Sequence, residues 1–173
     1  MKRNPQWTRA MFCLLATIVI ASALANAQSP STYNINLSLA EQSQDDQGRT
    51  VVTMISKGDL PGMLTLALST ASDGTVTGGE WSLVVSYTDI VNPQGQTEEE
   101  KGETLIQKGV LSGTVLAGGT TLNNGVVSAI GYLQLDLSHG TVEYASVPNG
   151  SGSASGTSID DRTNSDGSAT LTF

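Results

Sequence analysis

The sequence predicts an all-β protein: a single antiparallel β-barrel of about eight to ten strands, with a β-sandwich as the alternative arrangement. Three observations carry that prediction. Segments in which apolar and polar residues alternate recur along the chain, turn-forming residues separate them at regular intervals, and nowhere does a helical period run beyond two turns. Antiparallel strands in such number must hide their edges, either by closing into a barrel or by pairing two sheets.

Tyr33 to Leu39 alternates without a fault and places Tyr33, Ile35, Leu37 and Leu39 on one face. Leu39 to Gln44 is the nearest thing to a helix, and it is too short to matter. Asp45-Asp46-Gln47-Gly48 has turn chemistry, after which Thr50 to Ile55 returns as a β-branched run. Lys57 to Gly62 breaks that strand, and Met63 to Ser69 continues with Leu64, Leu66 and Leu68 facing the core. Asp73-Gly74 marks the next turn, and Gly78-Gly79 suggests a bulge or bend between Thr75-Val76-Thr77 and Glu80 to Tyr87.

Trp81, Leu83, Val85 and Tyr87 share a face of that strand. Thr88 to Gly102, with Asn92-Pro93 and the acidic run Glu98-Glu99-Glu100, reads as the longest exposed loop. Thr104 to Leu116 is strand-like although Gly109 and Gly113 interrupt it, and Ala117 to Gly125 reads as a turn-rich connection. Val126 to Leu137 is a long strand ending in alternation, and His139-Gly140 closes it. Thr141 to Ser146 is expected as a short strand and Asn149-Gly150 as a turn. Ser151 to Ile159 is polar and glycine-punctuated. Asn164 to Gly167 turns the chain into a last strand, Ser168 to Phe173.

Ahead of this domain, Lys2, Arg3 and Arg9 precede an apolar run from Met11 to Leu24 and the small residues Ala25-Asn26-Ala27. A basic n-region, a short apolar h-region and small residues before a cleavage point are the layout of a secretory signal peptide. Residues 1–27 are therefore expected to be a cleaved signal helix and residues 28–173 a single β domain, exported to the periplasm or the medium. The run is short for a membrane span, so no integral helical anchor is expected after cleavage. The only cysteine, Cys13, lies in the leader without the small flanking residues of a lipid-attachment site. No disulfide follows, and packing must hold the domain.

Beyond the leader there are five basic residues, Arg49, Lys57, Lys101, Lys108 and Arg162, against sixteen acids. Nucleic acid and anionic membranes both require a basic face and are poor partners for such a chain. Its aromatics are few: Tyr33, Trp81, Tyr87, Tyr132, Tyr144 and Phe173. They are too few for the two girdles of an outer-membrane barrel, so an alternating strand ending at Phe173 reads as the closing strand of a soluble barrel.

No chemistry finds its full set of residues. His139 has Asp136 and Glu143 near it in sequence, but a Ser-His-Gly turn explains it more simply. With one histidine and no mature cysteine, zinc is not expected. Asp160 to Gly167 alternates oxygen ligands, yet Arg162 interrupts it and no closing glutamate follows, so calcium is not expected either. Glu80, Asp89, Asp136 and Glu143 are available as carboxylate pairs without a spacing that joins any two. Asn36-Leu37-Ser38 and Asn149-Gly150-Ser151 match the glycosylation sequon.

From Gly140 to Gly152 the order is a glycine, a strand with aromatic Tyr144 four residues on, and a further Gly-x-Gly. This resembles the later strands of the allene oxide cyclase and dirigent class of small secreted β-barrels, over about a quarter of the mature chain. The resemblance implies an eight-stranded barrel with a central cavity and self-association into a homo-oligomer. It carries over no catalytic residue.

The functional expectation is an exported, non-enzymatic barrel with a binding or envelope-associated role and no cofactor or metal. Its ligand would be a small apolar molecule or a surface glycan, met by Trp81, Tyr87, Tyr132 and Leu135 at the barrel mouth, in its interior or on a sugar-stacking face. Two other classes compete: a cyclase-like or isomerase-like enzyme using a shaped cavity, and an adhesin or matrix module working through Ser/Thr-rich strands. The interior separates them. A barrel packed solid removes the internal carrier and the cavity enzyme, whereas a roomy polar cavity favours the enzyme.

Overall fold

A computed structural model describes residues 29–91, 102–147, 149–158 and 166–173. The signal segment, the acidic run Glu98-Glu99-Glu100 and residues Asp160 to Ser165 of the calcium candidate Asp160–Gly167 lie outside these residues. The rest is one closed barrel of eight antiparallel strands in sequence order: β1 (Thr32–Gln44), β2 (Thr50–Gly58), β3 (Gly62–Thr70), β4 (Thr75–Val91), β5 (Gly102–Asn123), β6 (Val126–Gly140), β7 (Gly150–Ser158) and β8 (Asp166–Thr172). Each strand pairs with the next, and β8 returns to β1 through register partners running from Thr32–Thr172 to Ser38–Asp166. Closure answers the edge problem that the sequence posed.

The alternation read from the sequence sorts residues between the inside and the outside of this wall. One interior row passes through all eight strands in register, from Thr50 on β2 through Leu68, Gly79, Val115, Leu135, Gly152 and Leu171 to Tyr33 on β1. Two glycines along it give the larger residues room, and a Cβ on Gly152 would stand 2.4 Å from the Leu171 side chain. A second row, Val52, Leu66, Trp81, Gly113 and Leu137, is filled by the indole of Trp81. Its Nε1 donates to the Asp136 carbonyl at 2.9 Å, across the place where Gly113 has no side chain. A Cβ on Gly113 would stand 1.7 Å from that carbonyl oxygen, so the position admits only glycine.

The outer wall is mainly hydroxylic. Thr53, Thr65, Ser82, Ser112 and His139 form one outward row, and an apolar row of Ile55, Met63, Val84 and Val110 lies beside it.

Most turns match their residues. Asp45 Oδ1 accepts from the Gln47 and Arg49 amides, both at 2.9 Å, and Asp73 Oδ1 accepts from the Thr75 amide at 2.9 Å. Asn124 and Gly125 join β5 to β6 with φ of 52° and 80°, the two-residue hairpin that Asn-Gly favours.

Several expectations need correction. Gly78-Gly79 does sit at a bulge, with Ser69 paired to Gly78 and Thr70 to Val76, and β4 runs on through it; Thr88 to Val91, read as the start of the long loop, also belongs to β4 and pairs with Gly102–Leu105 of β5. Ala117 to Gly119 is likewise part of β5, with a bulge between Val115 and Ala117. In both places the sheet coils at the glycines and continues. Thr141 to Ser146 is no strand, since Val142–Tyr144 forms a 3-10 turn. The Gly140 to Gly152 stretch that carried the family resemblance is therefore the end of β6, this turn and the start of β7.

Candidate binding site

Among the described residues the inward side chains of all eight strands form one contiguous cluster, from Ile35 to Leu171, each between 0 and 4 % exposed. Side chains lining a ligand-sized cavity would present far more surface than this to a water-sized probe. Among the described residues the buried polar ones are Thr50 and Ser56 at opposite ends of β2 and Ser128 on β6, and Ser56 already donates to the Leu60 carbonyl. Leucine, valine and Trp81 fill the space in which a central ligand would sit.

At the end of the barrel where β1 starts, the regular wall breaks down. The Asp59–Pro61 connection folds back there, with the Asp59 carboxylate accepting from the Asn34 amide at 2.8 Å. Pro61 is tied to β4 by its carbonyl, which accepts from the Ser86 amide at 2.8 Å. On β5 a bulge opens: Val85 pairs with Gly109 and Ser86 with Gln107, leaving Lys108 as the extra residue. A bulge re-aims side chains that strict alternation would send outward. Here Lys108 joins Val85 and Tyr87, and its ammonium lies 5.3 Å from the centre of the Tyr87 ring.

The far wall of this mouth is the 3-10 turn after β6. Val142 holds φ at 55°, a left-handed conformation that a β-branched residue rarely adopts. The turn is fastened to β5 twice, by Thr141 N to the Val110 carbonyl at 2.9 Å and by Val110 N to Thr141 Oγ1 at 3.0 Å. It seats so close to β5 that a Cβ on Gly109 would lie 2.2 Å from the Thr141 carbonyl oxygen and 3.0 Å from the Tyr144 ring. Tyr144 thereby faces the mouth, with its ring edge-on to Phe173 at 6.3 Å, while Phe173 stacks on Tyr33 at 4.6 Å. Partial burial, reinforced by the Glu143 carboxylate and then by Tyr33, raises the Tyr144 phenol above its ordinary value and keeps it a neutral donor.

Asp59, Pro61, Val85, Tyr87, Lys108 and Tyr144 enclose about 190 Å³. One cation, one carboxylate already engaged by backbone and two phenol rings thus converge on an apolar floor.

Of the four predicted contact residues, the structure brings only Tyr87 to this pocket. Trp81 and Leu135 are core, at 2 % and 1 % exposure. Tyr132 is exposed on the outer wall, paired across the sheet with Gly119. Reasoning from alternation missed Lys108, because a bulge has no period, and it missed Tyr144, because a strand was expected there.

The carboxylate and histidine candidates divide between two places. Glu143 lies 3.7 Å from Lys108 at the mouth, while His139 and Glu80 line a shallow groove of about 440 Å³ on the outer wall together with Thr65, Trp81, Ser82, Ser112 and Thr114, and Asp136 pairs across the sheet with Thr114. The Asp89 side chain lies outside the described residues. No protein-family model, no curated protein and no solved structure matches this chain.

Proposed function

We propose that this chain is an exported, non-enzymatic binding protein that receives its ligand at the mouth of the barrel and not within it. The carrying observation is the contrast between a filled apolar interior and a mouth where a bulge, a folded-back connection and a strained turn bring Lys108, Tyr87 and Tyr144 together. A central carrier or a cavity-based cyclase would need the space that the leucines occupy.

The polarity of the wall supports an aqueous setting. Membrane-spanning barrels carry an apolar outer band and a polar lumen; this barrel has an apolar interior, and its outer wall sets the hydroxyl row of Thr53, Thr65, Ser82 and Ser112 beside the apolar row of Ile55, Met63, Val84 and Val110. The leader layout of residues 1–27 supports export ahead of that setting.

The experiment is an amide-resolved NMR titration of residues 28–173 with a small-molecule fragment library. Shifts clustering at 85–87, 107–110 and 141–145, with the core unmoved, are expected. Fragments that move core amides instead would revive the internal carrier and overturn the proposal. A second reading, an adhesin or matrix module, is favoured by the outer groove, where the hydroxyls of Thr65, Ser82, Ser112 and Thr114 meet Trp81 and His139, and soluble glycans that shift amides of Ser82, Ser112 and His139 would support it.

A further inference from the structure

Building on the mouth reading, we infer that the ligand is a small carboxylate with a flat apolar body, whose carboxylate takes Lys108 from Glu143. The ion pair that now holds Lys108 is loose. Its 3.7 Å separation exceeds the roughly 2.7–2.9 Å of a charge-assisted hydrogen bond, and both side chains are well exposed, at 40 % for Lys108 and 58 % for Glu143. Such a pair contributes little and is readily exchanged. An incoming carboxylate seated at hydrogen-bond distance would outcompete Glu143, which stands at 3.7 Å from the middle of the Val142–Tyr144 turn.

The other lining groups specify the rest of the ligand. Of the two charged lining groups, Asp59 is held by the Asn34 amide at its Oδ2, on the connection that folds back over the mouth. Lys108 is the only basic residue among the lining groups and the one whose side-chain partner, Glu143, stands beyond hydrogen-bond distance. Tyr87 lies beneath the ammonium, Tyr144 stands opposite, and Pro61 and Val85 add apolar surface, a setting for a ring more than for a flexible chain. The volume of about 190 Å³ corresponds to roughly six waters at their liquid volume, which suits a single ring bearing one acid group.

The test compares three probes of one shape, benzoate, benzamide and benzylamine, by amide NMR titration of residues 28–173. Benzoate is expected to shift the amides of 85–87, 107–110 and 141–145, with affinity at least fivefold above that for benzamide and no shift from benzylamine. Lys108→Ala should remove the benzoate response while leaving the remainder of the spectrum in place. Glu143→Gln, which removes the competing carboxylate, should tighten benzoate about threefold.

If benzamide or benzylamine shifts the same amides as strongly as benzoate, the carboxylate inference fails and the mouth reading stands. Benzoate binding unchanged by Lys108→Ala also overturns it. Should none of the probes move the mouth amides, the carboxylate inference fails, and a fragment library that also leaves them unmoved removes the mouth reading with it.

Discussion

Val142 holds a backbone conformation that its side chain opposes, and releasing it should make the domain more stable. For an L-residue the left-handed region costs about 1–2 kcal/mol, and strained backbone positions generally store about 1–3 kcal/mol. Val142 has φ of 55° and is 69 % exposed, so Val142→Gly removes the strain and sacrifices little burial. Against this, glycine widens the unfolded ensemble at a cost of about 0.5–1 kcal/mol. The difference is a gain of about 1 kcal/mol, which for a chain of 173 residues corresponds to a rise of roughly 2–4 °C in Tm. Equilibrium urea unfolding of residues 28–173, followed by circular dichroism, reads it directly. Val142→Asn, which tolerates the same region, should gain less, and Val142→Ala, which keeps the Cβ, less again. A Val142→Gly protein that is no more stable than the parent refutes the argument, because the strain would then not be stored at this residue. A gain in stability accompanied by weaker binding at Lys108 would be the trade expected where strain holds a site in shape.

Three further outcomes follow from the core and the turns. Trp81→Phe deletes the indole donor to the Asp136 carbonyl, and should cost about 2 kcal/mol or more in chemical denaturation, from the lost bond and the lost volume together. Gly113→Ala places a Cβ 1.7 Å from the same backbone oxygen, so β5 and β6 must part; a loss of at least about 2–3 kcal/mol, or failure to fold, is expected, and a near-neutral result would show that the strands are not so closely set. Asp45 is held below the ordinary carboxylate value, first by the Arg49 side chain and then by backbone amides, and Asp73 is held there by hydrogen bonds from Thr75. Both contribute stability that is complete above the unfolded aspartate value and is lost as pH falls through their lowered folded values, so Tm measured across the acid range should decline there and Asp45→Asn should flatten the decline.

The barrel was legible because its interior obeys a rule that sequence displays openly. A filled eight-stranded wall requires inward residues to be apolar at every second position, and Leu64-x-Leu66-x-Leu68 or Leu133-x-Leu135-x-Leu137 can hardly be read otherwise. Strand ends were less legible where glycine has two uses. At Gly78-Gly79 and Ala117-Gly118-Gly119 the residues that normally terminate strands allow coiling in the middle of one, and a Cβ on Gly79 would meet the Ala67 carbonyl at 2.4 Å. Nothing local distinguishes a glycine that turns the chain from one that lets a neighbouring strand approach. That difference is decided by register with the neighbouring strands β3 and β6, which no single segment displays.

The site was illegible for a related reason. A period predicts where side chains go only while it lasts, and the mouth is built where it stops. Lys108 lines the pocket because one extra residue on β5 breaks the pairing between Val85 and Ser86. Tyr144 lines it because Val142 takes a conformation that its residue type argues against and because Gly109 yields the room. Each of these is a local departure held in place by the regular wall behind it, through the Thr141–Val110 hydrogen bonds and the Ser86–Pro61 bond. Local consistency specifies a fold, and the positions that violate it persist only where surrounding contacts impose them. The apolar interior is therefore the rigid support, and the chemistry of the chain concentrates at the end where alternation fails.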